Sequence, residues 1–441
     1  MIAISASRLR ELSGRHKSHL ANLVGEGATL YVRGVARGCA TLDLKPFASL
    51  ELAIAAEHRA VGYCFTESRM LPSVLTGEKM VGESLDAPGV ERRFNAVTEE
   101  LLTVRHLDGV ERVAIFSLRY GRECVIYDLA PEDEAGADVP LVEQLANREV
   151  RHRNVGALIA VNRLVGMEPT QLPPFNLTID DRPASFDHFN AAPLSALLRH
   201  IDYLCPGAHT DFAWTPSHTR PCRGYLKTMR DFSTGFVWHG LSRHVNHRVI
   251  SNPAAELMEG RRWVRRIEQR FGIRFQPIMI FPFEVSAPKQ FPLLAQAGFL
   301  ASVEAPQAEF LASDGKLTNP CADPHLPRYF GDSLPAHVDV TSDLTILYRY
   351  AASSLTRERM LAMAALGLPI IAAAHPKNVG LKRFSRFRDR GGDFSHFDEI
   401  LKFASSKGLR SLSLEHIAIE VRNQQRANDP LTHVMQAADG P

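Results

Sequence analysis

No two cysteines in this 441-residue chain are spaced as CxxC, and the six that occur, Cys39, Cys64, Cys124, Cys205, Cys222 and Cys321, follow no short repeat. Neither a thiolate zinc site nor a disulfide framework is indicated, so these are read as reduced core thiols. Long apolar runs are missing as well. The longest, such as LPIIAAAH, fall far short of a bilayer, and MIAISASRLRELSGRHKS lacks the basic start and long apolar centre of a signal peptide. A cytoplasmic chain with no membrane span is expected. Nor does one sign of charge dominate: 51 Lys+Arg against 49 Asp+Glu leave +2, which supplies no overall field for nucleic acid or membrane and leaves only local patches.

What is present is the composition of a globule, with 45% apolar residues in a chain longer than one core normally holds, so two domains are expected. Residues 1–135 read as a smaller α/β domain. MIAISA and ATLYVRG are strands around the helical SRLRELSGRHKSHLANLVGEG, which Gly25 and Gly27 can stop, and ERVAIFSLRYGRECVIYDL is a hairpin turning at Tyr120-Gly121. The chain begins directly in a strand, which leaves an upstream piece open. Residues 136–154, acidic and turn-rich and then polar, are expected to be a linker.

From 155 to 425 one unit recurs, an amphipathic helix, a glycine stop and a short apolar strand, and a tail follows over 426–441. In NPAAELMEGRRWVRRIEQRFG, Asn252 is the N-cap, Pro253 the first helical residue, Leu257, Val264, Ile267 and Phe271 share a face, and Gly272 ends the helix. Similar pairs are PLSALLRHIDYLCPG with HTDFAW, FPLLAQAG with FLASVE, TRERMLAMAALG with LPIIAAA, and HFDEILKFASSKG with LRSLSL. Alternation at this spacing implies right-handed crossovers and a (β/α) barrel of about seven parallel strands.

Such a barrel carries its site at the C-terminal ends of the strands. Asp180 and Asp181 follow FNLTI, His239 follows TGFVW, Pro282 follows PIMIF and His375 follows LPIIAAA. Adjacent carboxylates repel unless water or a cation relieves them, and a polar turn is the bland reading of this pair. With the histidines, the chemistry is metal-assisted hydrolysis: one carboxylate and two imidazoles hold a divalent cation, a second carboxylate takes a proton from the attacking water, and a further histidine protonates the leaving group.

In kind and in order these residues resemble the polysaccharide deacetylases, NodB-like carbohydrate esterases, over about residues 155–425. The resemblance rests on TIDD, WHGLSRHVNH, IFPFEVSAP, IIAAAHP and the closing FDEILKFASSKGLRSLSLEHI. It implies Asp180 as base, Asp181, His239 and a second histidine as ligands of a metal, zinc for preference, and His375 as general acid. Trp238, Pro282 and Glu284 fall in its substrate groove, and an acetylated sugar or polysaccharide precursor is the implied substrate. Residues 1–130 resemble the later part of the flavodoxin-like domain of class I amidotransferases and their non-catalytic relatives. They carry no nucleophile elbow, so a structural role or the docking of a protein partner is expected there.

The pattern is not followed throughout. The family's two histidines lie four residues apart, whereas Arg243 stands four after His239 and the nearest imidazoles are His244, the favoured ligand, and His247. The usual arginine before Pro282 is missing, with Ile280 and Phe281 in its place. A degenerate, non-catalytic carbohydrate-binding module is therefore a rival, as is hydrolysis of another amide or a glycosidic bond. A serine esterase using Ser333 of FGDSLP is disfavoured because no strand precedes it, and the basic LKRFSRFRDR is read as a solvated helix face or a phosphate-binding stretch.

Overall fold

The computed structural model describes residues 2–26, 28–34, 59–86, 88, 90–91, 99–120, 123–130, 145–147, 151, 154–156, 158–159, 172–181, 191–218, 223–245, 247, 250–282, 288–305, 336–339, 341–375, 379 and 394–428. The chain divides into two compact units, Met1–Leu172 with Ala365–Gly367, and Pro173–Ala364 with Leu368–Pro441.

The first unit opens as expected. Strand β1 (Ile2–Ser5) leads through helices α1 (Ala6–Glu11) and α2 (Gly14–Gly25) to β2 (Leu30–Arg33), and the two strands pair in parallel. Ser13 caps α2 by accepting the His16 N–H, and the helix ends at Gly25. The remaining strands are β3 (Arg59–Phe65), β4 (Lys79–Asp86), β5 (Val90–Glu91), β6 (Glu99–His106), β7 (Glu111–Tyr120) and β8 (Glu123–Asp128), in the order β1-β2-β8-β7-β6-β3-β4 with β5 beside β7. The expected hairpin is β7–β8, with Tyr120 opposite Glu123.

Parallel winding of the flavodoxin kind is confined to β1, β2 and β8; the other pairings are antiparallel. The reason is local at β6–β7. Asp108-Gly109 forms a tight turn, Gly109 at φ 78 and Asp108 accepting the Val110 N–H at 2.9 Å, and a turn that short returns the chain antiparallel instead of crossing over.

The second unit is built on β9 (Pro174–Asp181), β10 (Thr210–Trp214), β11 (Thr234–His239), β12 (Phe275–Ile280), β13 (Ala301–Glu304), β14 (His337–Asp339), β15 (Leu344–Tyr348), β16 (Tyr350–Ala351), β17 (Ile370–Ala374) and β18 (Arg410–Ser411). Helices α3 (Ala191–Leu204), α4 (Arg223–Arg230), α5 (Pro253–Phe271), α6 (Phe291–Gln296), α7 (Arg357–Ala365), α8 (Asp398–Lys407) and α9 (Leu414–Asn428) alternate with them. The sheet order is β14-β15-β13-β12-β11-β10-β9-β17-β16, with β18 beside β9 and only β14 antiparallel. Strand β15 pairs with β13 and β16 pairs with β17, yet Arg349 alone separates them. The chain thus links the two ends of a curled parallel sheet whose edges, β15 and β16, do not pair with each other among the described residues, an open form of the expected (β/α) barrel.

Helix α5 follows its sequence signals closely. Asn252 Oδ1 accepts the Ala255 N–H at 3.0 Å, Pro253 comes first, and Gly272 at φ 62 donates to the Glu268 carbonyl at 2.8 Å. Leu257, Val264 and Ile267 are buried, each stabilising the fold by roughly 1.5–3 kcal/mol, while Phe271 is half-buried. The closing segment departs from expectation. Only Arg410–Ser411 of LRSLSL is strand, because the Ser413 hydroxyl accepts the His416 N–H and so starts α9 at Leu414.

Alternation along the strands aims one row inward. Asp180 stands opposite Ala213, Ala213 opposite Val237, His239 opposite Ile280, and Ile280 opposite Val303. The apolar members of this lining pack with Leu414, Ile417, Ala418 and Val421 of α9. At the opposite end of the strands, buried Asp211 accepts Asn176 Nδ2 at 3.0 Å, the Leu414 N–H at 2.8 Å and Gln276 Nε2, and meets His209 Nε2 at 3.0 Å. A carboxylate sits against the N-terminus of α9, where the helix dipole favours it.

Candidate functional site

Strand ends bring the polar residues together, as the barrel geometry requires. Asp180 lies in the last two residues of β9, His239 ends β11, His375 follows β17 and Arg349 follows β15. The Arg349 backbone N–H donates to the Glu304 carbonyl at 2.9 Å, which holds this residue where the chain changes partner.

Asp180 and Arg349 form a buried bidentate ion pair, Nη1 to Oδ1 at 2.5 Å and Nη2 to Oδ2 at 2.8 Å. Burial alone would push the Asp180 carboxyl upward. The guanidinium overrides it, with smaller contributions from His239 and His375, and holds the acid well below the usual carboxylate range. Arg349 is thus a member of the site that the sequence motifs do not include. Its signal in the sequence is a lone basic residue inside the apolar LTILYRYA, 169 positions from the acid it meets.

His239 is buried, and burial first, then the Arg349 charge against the opposing pull of Asp180, lowers its pKa to about 3, so its ring is neutral. Its Nδ1 makes no hydrogen bond among the described residues. His244 is half-buried with its ring centroid 5.0 Å from that of His239. Residues 241–245 are not helical, so the five-residue spacing is no obstacle to this approach. His247 is engaged otherwise. It is fully buried, its Nε2 accepts the Leu241 N–H at 3.4 Å, its ring packs at 5.1 Å on Phe281, and burial lowers its pKa to about 4.

The histidine loop is tightly held. Gly240, at φ 90, leaves no room for a side chain: a Cβ would lie 2.7 Å from the Arg243 carbonyl oxygen, 2.9 Å from His247 Nε2 and 3.1 Å from Pro282 Cγ. Glu256 of α5 accepts from the Ser242 hydroxyl and from Arg243 Nε and Nη2 at 2.8 and 2.9 Å. Pro282 is therefore brought against the loop. Trp238 is not brought to the lumen. As the neighbour of His239 it points the other way, packing edge-on against Phe299 at 5.1 Å and Phe275 at 6.3 Å under α5. The expectation of a substrate contact there overlooked the two-residue period of a strand.

Asp181 ends β9 opposite Trp214, and its side chain lies outside the described residues, as do Glu284, Ser333 and the LKRFSRFRDR stretch. His375 is exposed at the rim, and its charge acts on both Asp180 and His239. Among the described residues no group of three or more His, Cys, Asp and Glu is placed to hold a metal ion. The described part of the predicted ligand set is the pair His239 and His244, and a neutral buried imidazole with an unengaged Nδ1 beside a second imidazole fits a divalent cation.

The fold matches that of Agd3, described as a novel carbohydrate deacetylase, with a TM-score of 0.54 and 9% identity over 96% of this chain and 80% of that one. The likeness shows the fold: this chain has the architecture of that deacetylase. Other similar structures include the peptidoglycan deacetylase PdaC from Bacillus subtilis, TM-score 0.31 and 16% identity over 58% of this chain and 95% of that one. The Puue allantoinase has a TM-score of 0.36 and 10% identity over 58% and 90%. At those scores the two carry no weight. No protein-family model and no curated protein matches the chain. Among the described residues no helix is long and apolar enough to cross a membrane.

Proposed function

We propose that the protein is a metal-dependent hydrolase that removes acetyl groups from an N- or O-acetylated sugar or polysaccharide. The carrying observation is the rim itself, where Asp180 is kept ionised by Arg349 next to Asp181 in sequence and beside a neutral His239 paired with His244. Asp181, His239 and His244 would hold the metal, with zinc suited to that carboxylate and imidazole set. Held there, a divalent ion would supply Lewis-acid chemistry, polarising an acetyl carbonyl and lowering the pKa of a water. Each Asp180 oxygen engaged by Arg349 keeps a second lone pair, so the carboxylate can still take a proton from that water. His375, exposed and near enough for its charge to act on the same acid, gives a proton to the departing nitrogen or oxygen of the sugar.

Acetate release from a panel of acetylated sugars tests this reading, with His375→Ala as the informative variant. It should retain metal and lose most turnover on an N-acetyl sugar, because an amine leaves poorly unprotonated, and lose far less on an activated acetyl ester. Equal losses on both substrates would remove His375 from the role of acid.

The ligand choice has its own test by elemental analysis of purified variants. His244→Ala should lose most of its bound zinc, whereas His247→Ala should retain it and unfold at lower temperature, since the His247 ring is packed on Phe281 and bonded to the Leu241 N–H. Depletion only in His247→Ala reverses the assignment.

A further inference from the structure

A chain with a net charge of only +2 carries a concentrated basic face on two neighbouring helices of the barrel. Helix α5 holds Arg262, Arg266 and Arg270 at four-residue spacing, which places them in one row about 6 Å apart along the axis. Helix α4 adds Arg223 and Lys227, and the two helices meet where Arg230 Nη2 donates to the Phe271 carbonyl at 2.6 Å. The acids of α5 do not neutralise this row. Glu256 is held by Ser242 and Arg243, Glu268 accepts the Phe275 N–H, and only Glu259 approaches, at 3.6 Å from Arg262. Arg266 and Arg270 take part in no ion pair among the described residues, and all three arginines of the row are exposed. Two are steadied by rings instead, Arg266 at 5.5 Å over Trp263 and Arg270 at 5.3 Å over Phe271.

We infer that this face binds a linear anionic glycan, its carboxylates taken by the arginine row. Guanidinium groups suit the purpose because each can grip a carboxylate through two parallel N–H bonds. Charge complementarity names a polyanion, and the geometry narrows it. The apolar residues Leu257, Val264 and Ile267 of α5 are buried in the body of the unit, and Met258 alone among its large aliphatic side chains is exposed, too little apolar surface to enter a lipid surface. The aromatic rings on the row are covered by guanidinium groups, which removes the open stacking platforms that single-stranded nucleic acid uses. The choice of a glycan rests on the carbohydrate-acting function proposed above.

The test uses the full chain against polygalacturonate, a neutral dextran, single-stranded DNA and phosphatidylserine vesicles at low and physiological salt. Polygalacturonate should bind, weaken as salt rises, and lose roughly tenfold or more in affinity in the R262E/R266E/R270E variant, with the unfolding midpoint and turnover on a small acetylated sugar unchanged. Dextran should not bind. Failure of polygalacturonate to bind, or equal binding by the variant, overturns the inference, and tighter binding to DNA or vesicles reassigns the face to that partner. Binding without any acetate release from the sugar panel would sink the deacetylase reading and leave this surface standing; acetate release without binding does the reverse.

Discussion

Arg349→Met is expected to cost the fold about 3–5 kcal/mol, because it leaves the Asp180 carboxylate buried without its cation. Asp180→Leu should cost a similar amount by stranding the guanidinium. The double variant should recover most of the loss, since a buried ion pair exchanged for apolar side chains is often neutral or better. Denaturant unfolding in the presence of a chelator measures all three without a contribution from bound metal. Simple additivity of the two single effects would mean that the pair is not the unit the geometry indicates. Activity must separate from stability: turnover should fall on the order of 10² to 10⁴ in either Asp180 variant, the usual share of a general base, and the double variant should stay inactive although refolded.

Gly260→Ala carries the second large effect, and two physical arguments disagree about its sign. Helix propensity favours alanine over glycine by about 1 kcal/mol in the middle of α5. Packing opposes it, because a Cβ there would collide with the Leu241 carbonyl oxygen and come within 3.1 Å of the Trp238 ring. A backbone carbonyl cannot rotate aside as a side-chain tip can, so overpacking of about 1–3 kcal/mol beyond the propensity gain is expected to win. Leu241 lies two residues beyond His239, and the shift should displace the histidine loop. Bound zinc and turnover should therefore fall more in Gly260→Ala than in an equally destabilising variant of the first unit. A stability gain would show that the loop yields freely.

These two sites also show what could be read from the chain. Helix α5 was legible from Asn252 to Gly272 because capping and glycine stops act within a turn or two of sequence. The strand ends bearing Asp180, His239 and His375 were legible because each closes an apolar run. Arg349 was not, since its partner lies 169 positions away and only the curling of the sheet brings them together. For Trp238 the deciding rule is local: one position inside the end of β11, it takes the side of the strand opposite His239 and packs on Phe275 and Phe299. In the first unit the antiparallel pairing of β6 and β7 follows from the Asp108-Gly109 turn, a two-residue signal shorter than the strand patterns on either side of it.

The contacts of Asp211 have a consequence for how the molecule is made. Its four partners stand at positions 176, 209, 276 and 414, so a chain still emerging during synthesis can close three of them long before the fourth exists. Until Leu414 arrives, that carboxylate is missing one of its donors, and the lumen is missing the apolar side chains of α9 that share its core. Helix α9 is in this sense a latch: vectorial assembly can arrange the staves early, but the lumen is sealed from below only when the end of α9 has left the ribosome.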